Sequence, residues 1–187
     1  METEEIRALL SKFQAGYTAR DPQRLDEFMG LFIAGDELEV IGTNAVAPGG
    51  GEWCQGPAAV RTLVANDWKY WGDVVFDVAG AHIFVKGDVG WLATTGTVTA
   101  TIPVADRYIE YLKYVQGVLA EDEKSEQTKT LDIVRAGNGV VLELPLSDTF
   151  VWPLRLTAVA VREAGVWRFH QMQFSFATTS TPDVRNA

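Results

Sequence analysis

The sequence is short of the residues that build disulfides, metal sites and nucleic-acid surfaces. It has one cysteine, Cys54, two histidines, and 16 lysines and arginines against 25 aspartates and glutamates, which gives a formal net charge of −9. A single cysteine cannot form an internal disulfide, and no His, Asp or Glu spacing indicates a metal site. An acidic chain without a basic stripe repels phosphate backbones and anionic lipids. We therefore expect no metal, no cofactor, no nucleic-acid partner and no membrane partner.

Long hydrophobic runs are also missing. No stretch approaches the roughly 18 apolar residues that a membrane-spanning helix needs, and the acidic, amphipathic start lacks the basic end and apolar run of a signal peptide. A reducing compartment is the default for a chain with one cysteine, so we expect a cytoplasmic protein. Hydrophobic residues make up 47% of the 187 residues. This composition predicts a single folded domain over residues 1–187 with a loose polar tail over 178–187.

Helical periodicity is clearest in the first half of the chain. The first helix is predicted by an apolar face at helical spacing, formed by Ile6, Leu9, Leu10, Phe13 and Tyr17. Asp21 and Pro22 supply an N-cap and a first helical residue for a second helix. Residues 44–57 are a predicted loop. Pro57 then begins a third helix, whose apolar face is Val60, Leu63, Val64, Trp68 and Trp71.

Alternating patterns predict the strands. The predicted strands lie within residues 35–43 and over 74–78, 81–85, 89–102, 148–163 and 166–176. KGDV and Ala164-Gly165 are the tight turns between neighbouring strands. Residues 104–123 and 125–135 return to helical spacing, the second stopped by AGNG. This order predicts an α+β fold in which helices pack on the concave face of a bent antiparallel sheet.

Several stretches resemble a known superfamily. The segments FQAGYTARDPQRLDEFMGLF, DWKYWGDV and LTAVAVREAGVWRFHQMQFS resemble the nuclear transport factor 2-like superfamily in its SnoaL-like branch. The resemblance covers roughly residues 1–102 and 148–177. It implies a cone-shaped sheet with an interior pocket and frequent pairing into dimers, and it makes 104–147 a helical insertion, either a lid or an interface. It implies no single chemistry, because members range from isomerases and dehydratases to non-catalytic binders.

The last strand carries the first candidate ligand-binding residues. Strict alternation would put Gln171 and Gln173 on the face of Trp167 and Phe169, with His170 opposite. In relatives a polar pair of this strand faces the cone, so the resemblance makes the two glutamines candidates for orienting a ligand. Their amides form hydrogen bonds but do not ionise. The alternative is that they only satisfy buried backbone groups. Arg155, on the preceding strand, either points at an anionic or carbonyl group of the ligand or pairs with a carboxylate at the rim.

A complete catalytic set is not apparent in the sequence. Resemblance to ketosteroid isomerases gives Tyr17 an oxyanion-holding role, against a core role with its hydroxyl satisfied. The strand base of those enzymes falls near Ile41, two residues from Glu39. No two acids can be placed beside Arg155 for an epoxide-hydrolase set, and His82 and His170 are the only histidines. The glycine-rich stretch at 47–53 lacks the Lys-Ser/Thr of a phosphate loop.

Tryptophan is the remaining signal, with six in the chain. Trp68 and Trp71 lie near the end of the third helix. Glu52 and Trp53 lie in the predicted loop, which we expect to face that end of the helix. These residues, with Trp91, either border an apolar pocket or pack in the core.

Together these observations predict a small-molecule-binding protein whose ligand is mostly apolar and oxygen-bearing. The candidate ligand-binding residues are Tyr17, Glu52, Trp53, Trp68, Trp71, Trp91, Arg155, Gln171 and Gln173. Catalysis, if present, is acid–base chemistry of the isomerase, dehydratase or cyclase kind. The alternative is a non-catalytic association module whose interior is filled by its own side chains. A homodimer fits both alternatives.

Overall fold

A computed structural model describes residues 2–101, 104–143 and 149–176. A short 3-10 helix spans Pro22–Arg24. The α-helices are α1 Glu2–Ala19, α2 Leu25–Met29, α3 Gly56–Tyr70, α4 Val104–Ala120 and α5 Glu126–Glu143. The strands are β1 Glu39–Ile41, β2 Trp53–Gln55, β3 Asp73–Phe76, β4 His82–Lys86, β5 Val89–Thr101, β6 Thr149–Glu163 and β7 Val166–Phe176.

The strands form one seven-stranded open sheet in the order β2-β1-β7-β6-β5-β3, with β4 paired to β5. The pairs β1–β2, β4–β5 and β6–β7 are antiparallel, whereas β1 runs parallel to β7. The predicted α+β class is confirmed, with the correction that the sheet is mixed. The chain divides into two compact units, Met1–Val98 with Trp152–Ala187, and Thr99–Val151.

Helix α1 supplies the centre of the core of the first unit. All five residues of its predicted apolar face are buried. The ring of Phe13 lies within 6.2 Å of six other aromatic rings, between centroids, which fills the space under the sheet with hydrocarbon. Gly16 lies against the ring of Phe28, where any Cβ would collide with it, so a glycine lets α2 approach α1 closely. Asp21 caps the 3-10 helix by accepting a hydrogen bond from the backbone of Gln23.

Two sequence predictions of element bounds were wrong. Residues 53–55, predicted as loop, form strand β2 because they pair with β1 at the sheet edge. Helix α5 continues through Gly137 to Glu143 instead of stopping at AGNG. A Cβ at Gly137 would lie 2.6 Å from the hydroxyl oxygen of Tyr111. The glycine therefore serves close packing against α4 and does not end the helix.

Strand β7 contains a β-bulge at His170, and this reverses the predicted faces of its second half. Val159 pairs with Gln171 while Ala160 pairs with Phe169, so His170 is the extra residue. Trp167 and Phe169 are buried before the bulge, and Met172 and Phe174 are buried after it. Gln171 and Gln173 therefore lie on the face opposite to the buried core, and the prediction that they share the face of Trp167 and Phe169 was wrong.

The bulge lies where β7 changes its parallel partner. Before it, Phe169 exchanges backbone hydrogen bonds with Leu31 and Ile33, at 2.8 and 3.0 Å. After it, Gln171 and Gln173 pair with Glu39 and Ile41 of β1. The intervening residues 34–38 leave the sheet, and the extra residue lets β7 keep both partners.

The second unit contains the helical pair α4 and α5. The hydroxyl of Tyr111 donates to the carbonyl of Ile133 at 3.1 Å, and Val118 is buried. Lys129 is buried too, with its ammonium 3.4 Å from the carbonyl oxygen of Leu119. Within the described residues, the helices are too short or too polar for any of them to cross a membrane.

Candidate functional site

A cleft of about 710 Å³ lies in the first unit, between α3 on one side and β2 with its preceding loop on the other. Its aromatic wall consists of Trp53, Tyr70 and Trp71, and its acidic groups are Glu52 and Asp67. The remaining lining residues are Gly49, Gly51, Cys54, Gln55, Ala59, Thr62, Leu63 and Asn66. No lysine, arginine or histidine is among these lining residues. The cleft therefore combines aromatic walls with two carboxyl groups.

Tyr17 and Asp67 form a hydrogen-bonded pair at the inner side of this cleft. The buried hydroxyl of Tyr17 donates to Oδ2 of Asp67 at 2.8 Å. Burial and the neighbouring Asp67 raise the pKa of Tyr17 well above its usual value, so the phenol stays protonated. Burial raises the pKa of Asp67 to about 7, while the hydrogen bond from Tyr17 acts in the opposite direction. Near neutral pH both protonation states of Asp67 are populated.

Arg20 fixes the two helices that carry this pair. Its guanidinium donates to the backbone carbonyls of Tyr17, Trp71 and Gly72, the first two at 3.0 and 2.7 Å. These carbonyls lie at the ends of α1 and α3, where the helix leaves them without intrahelical partners. Arg20 itself follows the last residue of α1 with a φ of 47°, in the left-handed region. Its charge also lowers the pKa of Asp67, though burial outweighs it.

Glu52 is held at the rim of the cleft by neutral donors. Its Oε2 accepts hydrogen bonds from the backbone N–H of Asn44 at 2.9 Å and from the hydroxyl of Thr43 at 3.4 Å. Its Oε1 accepts one from Nδ2 of Asn44 at 3.2 Å. The charge of Glu52 raises the pKa of both Asp67 and Cys54. Burial is the larger cause for Cys54, so this thiol lines the cleft in its protonated form.

The structure brings three of the sequence candidates together at the cleft and places a fourth behind them. Glu52, Trp53 and Trp71 line it directly. Tyr17 reaches it through Asp67. Gly51 and Glu52 of the loop, together with Trp53 of β2, thus lie opposite the end of the third helix.

The other five sequence candidates lie elsewhere. Trp68 is buried in the core, 5.0 Å from Phe28 between ring centroids. Trp91 is half exposed and stacks on Phe84 at 5.8 Å. Arg155 is exposed and donates to the carbonyl of Phe176, so it does not point at a ligand in this cleft. Gln171 lies by a second cavity, and Gln173 is exposed on the same face.

This second cavity, of about 380 Å³, lies on the outer face of the sheet beside the bulge. Glu39 lines this cavity together with Gln171. Its carboxylate accepts hydrogen bonds from Nε1 of Trp53 at 2.7 Å and from Nε2 of Gln171 at 3.1 Å. Gln171 therefore satisfies a carboxylate here. Across residues 2–101, 104–143 and 149–176, no three His, Cys, Asp or Glu side chains are placed to hold one metal ion.

Sequence reasoning missed Asp67, although a signal for it was present. Asp67 follows Val60 and Leu63 by seven and four residues and precedes Trp71 by four. An acid at this spacing lies on the apolar face of α3. A carboxyl group on such a face requires a polar partner or a raised pKa, and the structure shows both.

Comparisons with known proteins agree on the fold. No protein-family model matches the chain, and no curated protein sequence matches it. A proposed dehydratase of the nuclear transport factor 2-like family from Streptomyces avermitilis is 12% identical, with a TM-score of 0.58 over 94% of this chain and 95% of that one. A nuclear transport factor 2-like superfamily protein from Salmonella enterica is 13% identical, with a TM-score of 0.58 over 97% and 95%.

A proposed scytalone dehydratase from Novosphingobium aromaticivorans is 9% identical, with a TM-score of 0.55 over 94% of this chain and 84% of that one. The chain has the fold of the nuclear transport factor 2-like superfamily.

Proposed function

We propose that this protein binds a small, largely apolar, oxygen-bearing molecule in the cleft between α3 and β2, and that Asp67 moves a proton on it. The observation that carries the proposal is the Tyr17–Asp67 pair. A carboxyl group with a pKa of about 7 lines an aromatic cleft, held by a phenol 2.8 Å away. General acid–base catalysis is most effective when the pKa of the catalytic group is near the working pH.

The roles of the two residues follow from their environments. Asp67 lines the cleft, so its carboxyl group can reach a bound molecule and either give or take a proton there. Tyr17 is buried and acts through Asp67 as a positioning residue. Trp53 and Trp71 supply flat apolar surface for the ligand.

The reaction class proposed is isomerisation, dehydration or cyclisation. All three need a proton removed at one atom and returned at another, which one carboxyl group of intermediate pKa supports. Two solved proteins of the same fold carry dehydratase names. Placement in the SnoaL-like branch, with 104–147 as an insertion in a single ligand-binding domain, remains part of this proposal and rests on the sequence segments. A cytoplasmic location rests on the free thiol of Cys54.

The association-module alternative is less well supported, because a cleft of about 710 Å³ remains open beside the filled core. Dimerisation is compatible with ligand binding, and one feature favours it. Phe84 and Trp91 stack on the solvent face of β4 and β5, 55% and 46% exposed, with Val89 beside them. Exposed apolar patches of this kind commonly mark protein interfaces. We propose that a second copy of the chain covers this patch.

The test uses neutral bicyclic aromatic ketones, beginning with alpha-tetralone. Binding is measured by calorimetry, and proton movement by the loss of the α-proton NMR signals in D₂O. We expect binding to the wild-type protein and exchange faster than in buffer. Asp67→Asn should abolish the added exchange, since an amide does not transfer protons, while Asp122→Asn at an exposed position should leave it unchanged.

Two results would contradict the proposal. The first is that no ketone of the series binds. The second is that Asp67→Asn exchanges the α-protons as fast as the wild-type protein. Binding without exchange in either protein would leave a ligand-binding role and remove the catalytic one.

A further inference from the structure

The charges around the cleft are unbalanced. Among the residues that the structure describes, two carboxyl groups line it and no basic side chain does. Within the described residues, neither Glu52 nor Asp67 takes part in an ion pair. The donors that hold Glu52 are an amide N–H, a side-chain amide and a hydroxyl. These neutral groups solvate the carboxylate without cancelling its charge.

Basic groups exist nearby, and Arg20, Arg61 and Lys69 each already have a partner. Arg20 directs its guanidinium at the backbone carbonyls at the ends of α1 and α3. Arg61 pairs with Asp26 at 2.9 Å. The ammonium of Lys69 lies 4.6 Å from the ring centroid of Tyr70, one of the lining aromatics. These contacts leave the charges of Glu52 and Asp67 without a basic partner among the lining residues.

Aromatic rings and carboxylates without a basic partner both favour a positively charged ligand. The face of an aromatic ring attracts cations through its quadrupole, and aromatic sites of this kind bind quaternary ammonium groups. An anion would meet two carboxyl groups, and the lining residues that the structure describes offer it no cation to pair with. We infer that the ligand of this cleft carries a positive charge, as an organic ammonium group on an aromatic or apolar frame, with Glu52 and Asp67 as its counter-charges. This inference rests on the proposed function of the same cleft.

Asp67 makes the binding of such a ligand depend on pH. The charged and titratable groups that act on Asp67 are Tyr17 and Arg20 from α1 and Glu52 from the loop before β2. With a pKa of about 7, Asp67 is mostly protonated at pH 6 and mostly ionised at pH 8. A cation binds the ionised form better, so its affinity should rise about tenfold over this range.

The experiment compares two phenols of the same shape, one cationic and one neutral, and adds an anionic phenol as a third probe. The probes are (para-hydroxyphenyl)trimethylammonium, a permanent cation, and para-tert-butylphenol, its neutral isostere, with para-hydroxybenzoate as the anion. Calorimetry at pH 6 and pH 8 gives each dissociation constant. We expect the cation to bind at least about tenfold more tightly than its isostere at pH 8, and benzoate binding to be weakest.

Two variants assign the effect to the named groups. Glu52→Gln keeps one of the two oxygens that accept hydrogen bonds from Asn44 but removes the charge. It should weaken cation binding by about tenfold while changing the neutral phenol little. Asp67→Asn should remove the rise in affinity between pH 6 and pH 8. Glu123→Gln, an exposed residue of the second unit, makes the same change in net charge and should have no effect.

The outcomes separate this inference from the proposed function. If the neutral phenol binds as tightly as the cation, or the benzoate binds best, the inference is wrong and the proposed cleft still binds ligands. If none of the three probes nor any ketone binds, both are wrong. Cation binding that Glu52→Gln does not weaken would also overturn the inference, because it would place the cation elsewhere.

Discussion

The guanidinium of Arg20 donates to the backbone carbonyl of Trp71 at 2.7 Å, which ties the end of α1 to the end of α3. Tyr17 and Asp67 lie one turn back on these same helices. The geometry of the proposed site therefore depends on a residue that does not line the cleft.

Replacing Arg20 by alanine should destabilise the protein by about 2–3 kcal/mol. The reason is that a charged donor to three carbonyls is lost, and hydrogen bonds to charged groups are the stronger class. Urea denaturation measures the change in the free energy of unfolding. Arg24→Ala is the matched control, since Arg24 is an exposed residue paired with Glu27, and should cost under about 1 kcal/mol. Equal losses in the two variants would show that Arg20 does not tie the helices.

Asp67 should make stability fall as the pH rises. Its pKa is about 7 in the folded protein against 3.8 for the unperturbed group, so the folded state holds an extra proton between about pH 4 and pH 7. Where the folded state binds more protons, the free energy of unfolding decreases with rising pH. We expect a contribution of about 2–4 kcal/mol, present below about pH 4 and lost by about pH 7.

Asp67→Asn removes this titration, so its free energy of unfolding should change less between pH 4 and pH 8 than that of the wild-type protein. Urea denaturation across this range, with Asp122→Asn as the control, measures the difference. If the wild-type protein and Asp67→Asn have parallel pH profiles, the carboxyl group is not perturbed as described.

Tyr17→Phe should raise the pKa of Asp67 above about 7, because the hydroxyl that lowers it is gone. It should also cost about 1 kcal/mol of stability through the lost hydrogen bond. Carbon-13 NMR titration of the aspartate carboxyl signals measures the pKa directly. Tyr70→Phe, at an exposed tyrosine on the same cleft, should leave it unchanged. A fall in the Asp67 pKa in Tyr17→Phe would contradict the donor role of this hydroxyl.

The bulge at His170 can be tested by deletion. Removing His170 would shift residues 171–176 by one position, which turns Met172 and Phe174 out of the core and Gln171 and Gln173 into it. We expect the deletion variant to be unfolded by circular dichroism. His170→Ala keeps the residue count, and should cost about 1 kcal/mol or less. A folded, cooperative deletion variant would show that the extra residue is not what sets the faces of β7.

Much of the fold could be predicted from local pattern. The apolar face of α1, the Asp21-Pro22 helix start and the Ala164-Gly165 turn all follow from side-chain periodicity and backbone preference. Both turn residues have positive φ, 49° and 80°, as such a turn requires. These features depend on residues close in sequence, so the sequence alone determined them.

The site depended on contacts between distant residues. Glu52, Trp53 and Trp71 were predicted as pocket residues from an aromatic pattern, but Asp67 gained its role from Tyr17, 50 positions away in the chain. Gln171 and Gln173 were predicted on the wrong face because the bulge at His170 shifts the alternation of β7 by one residue. The bulge occurs where the partner of β7 changes from residues 31–33 to β1. The sequence by itself determined which residues are apolar and where most of the helices and strands lie. Only the tertiary structure decided which polar groups are buried together. Burial sets the pKa of Asp67, and the change of strand partner sets the register of β7. Both depend on residues that are distant in the chain, so local periodicity does not encode them.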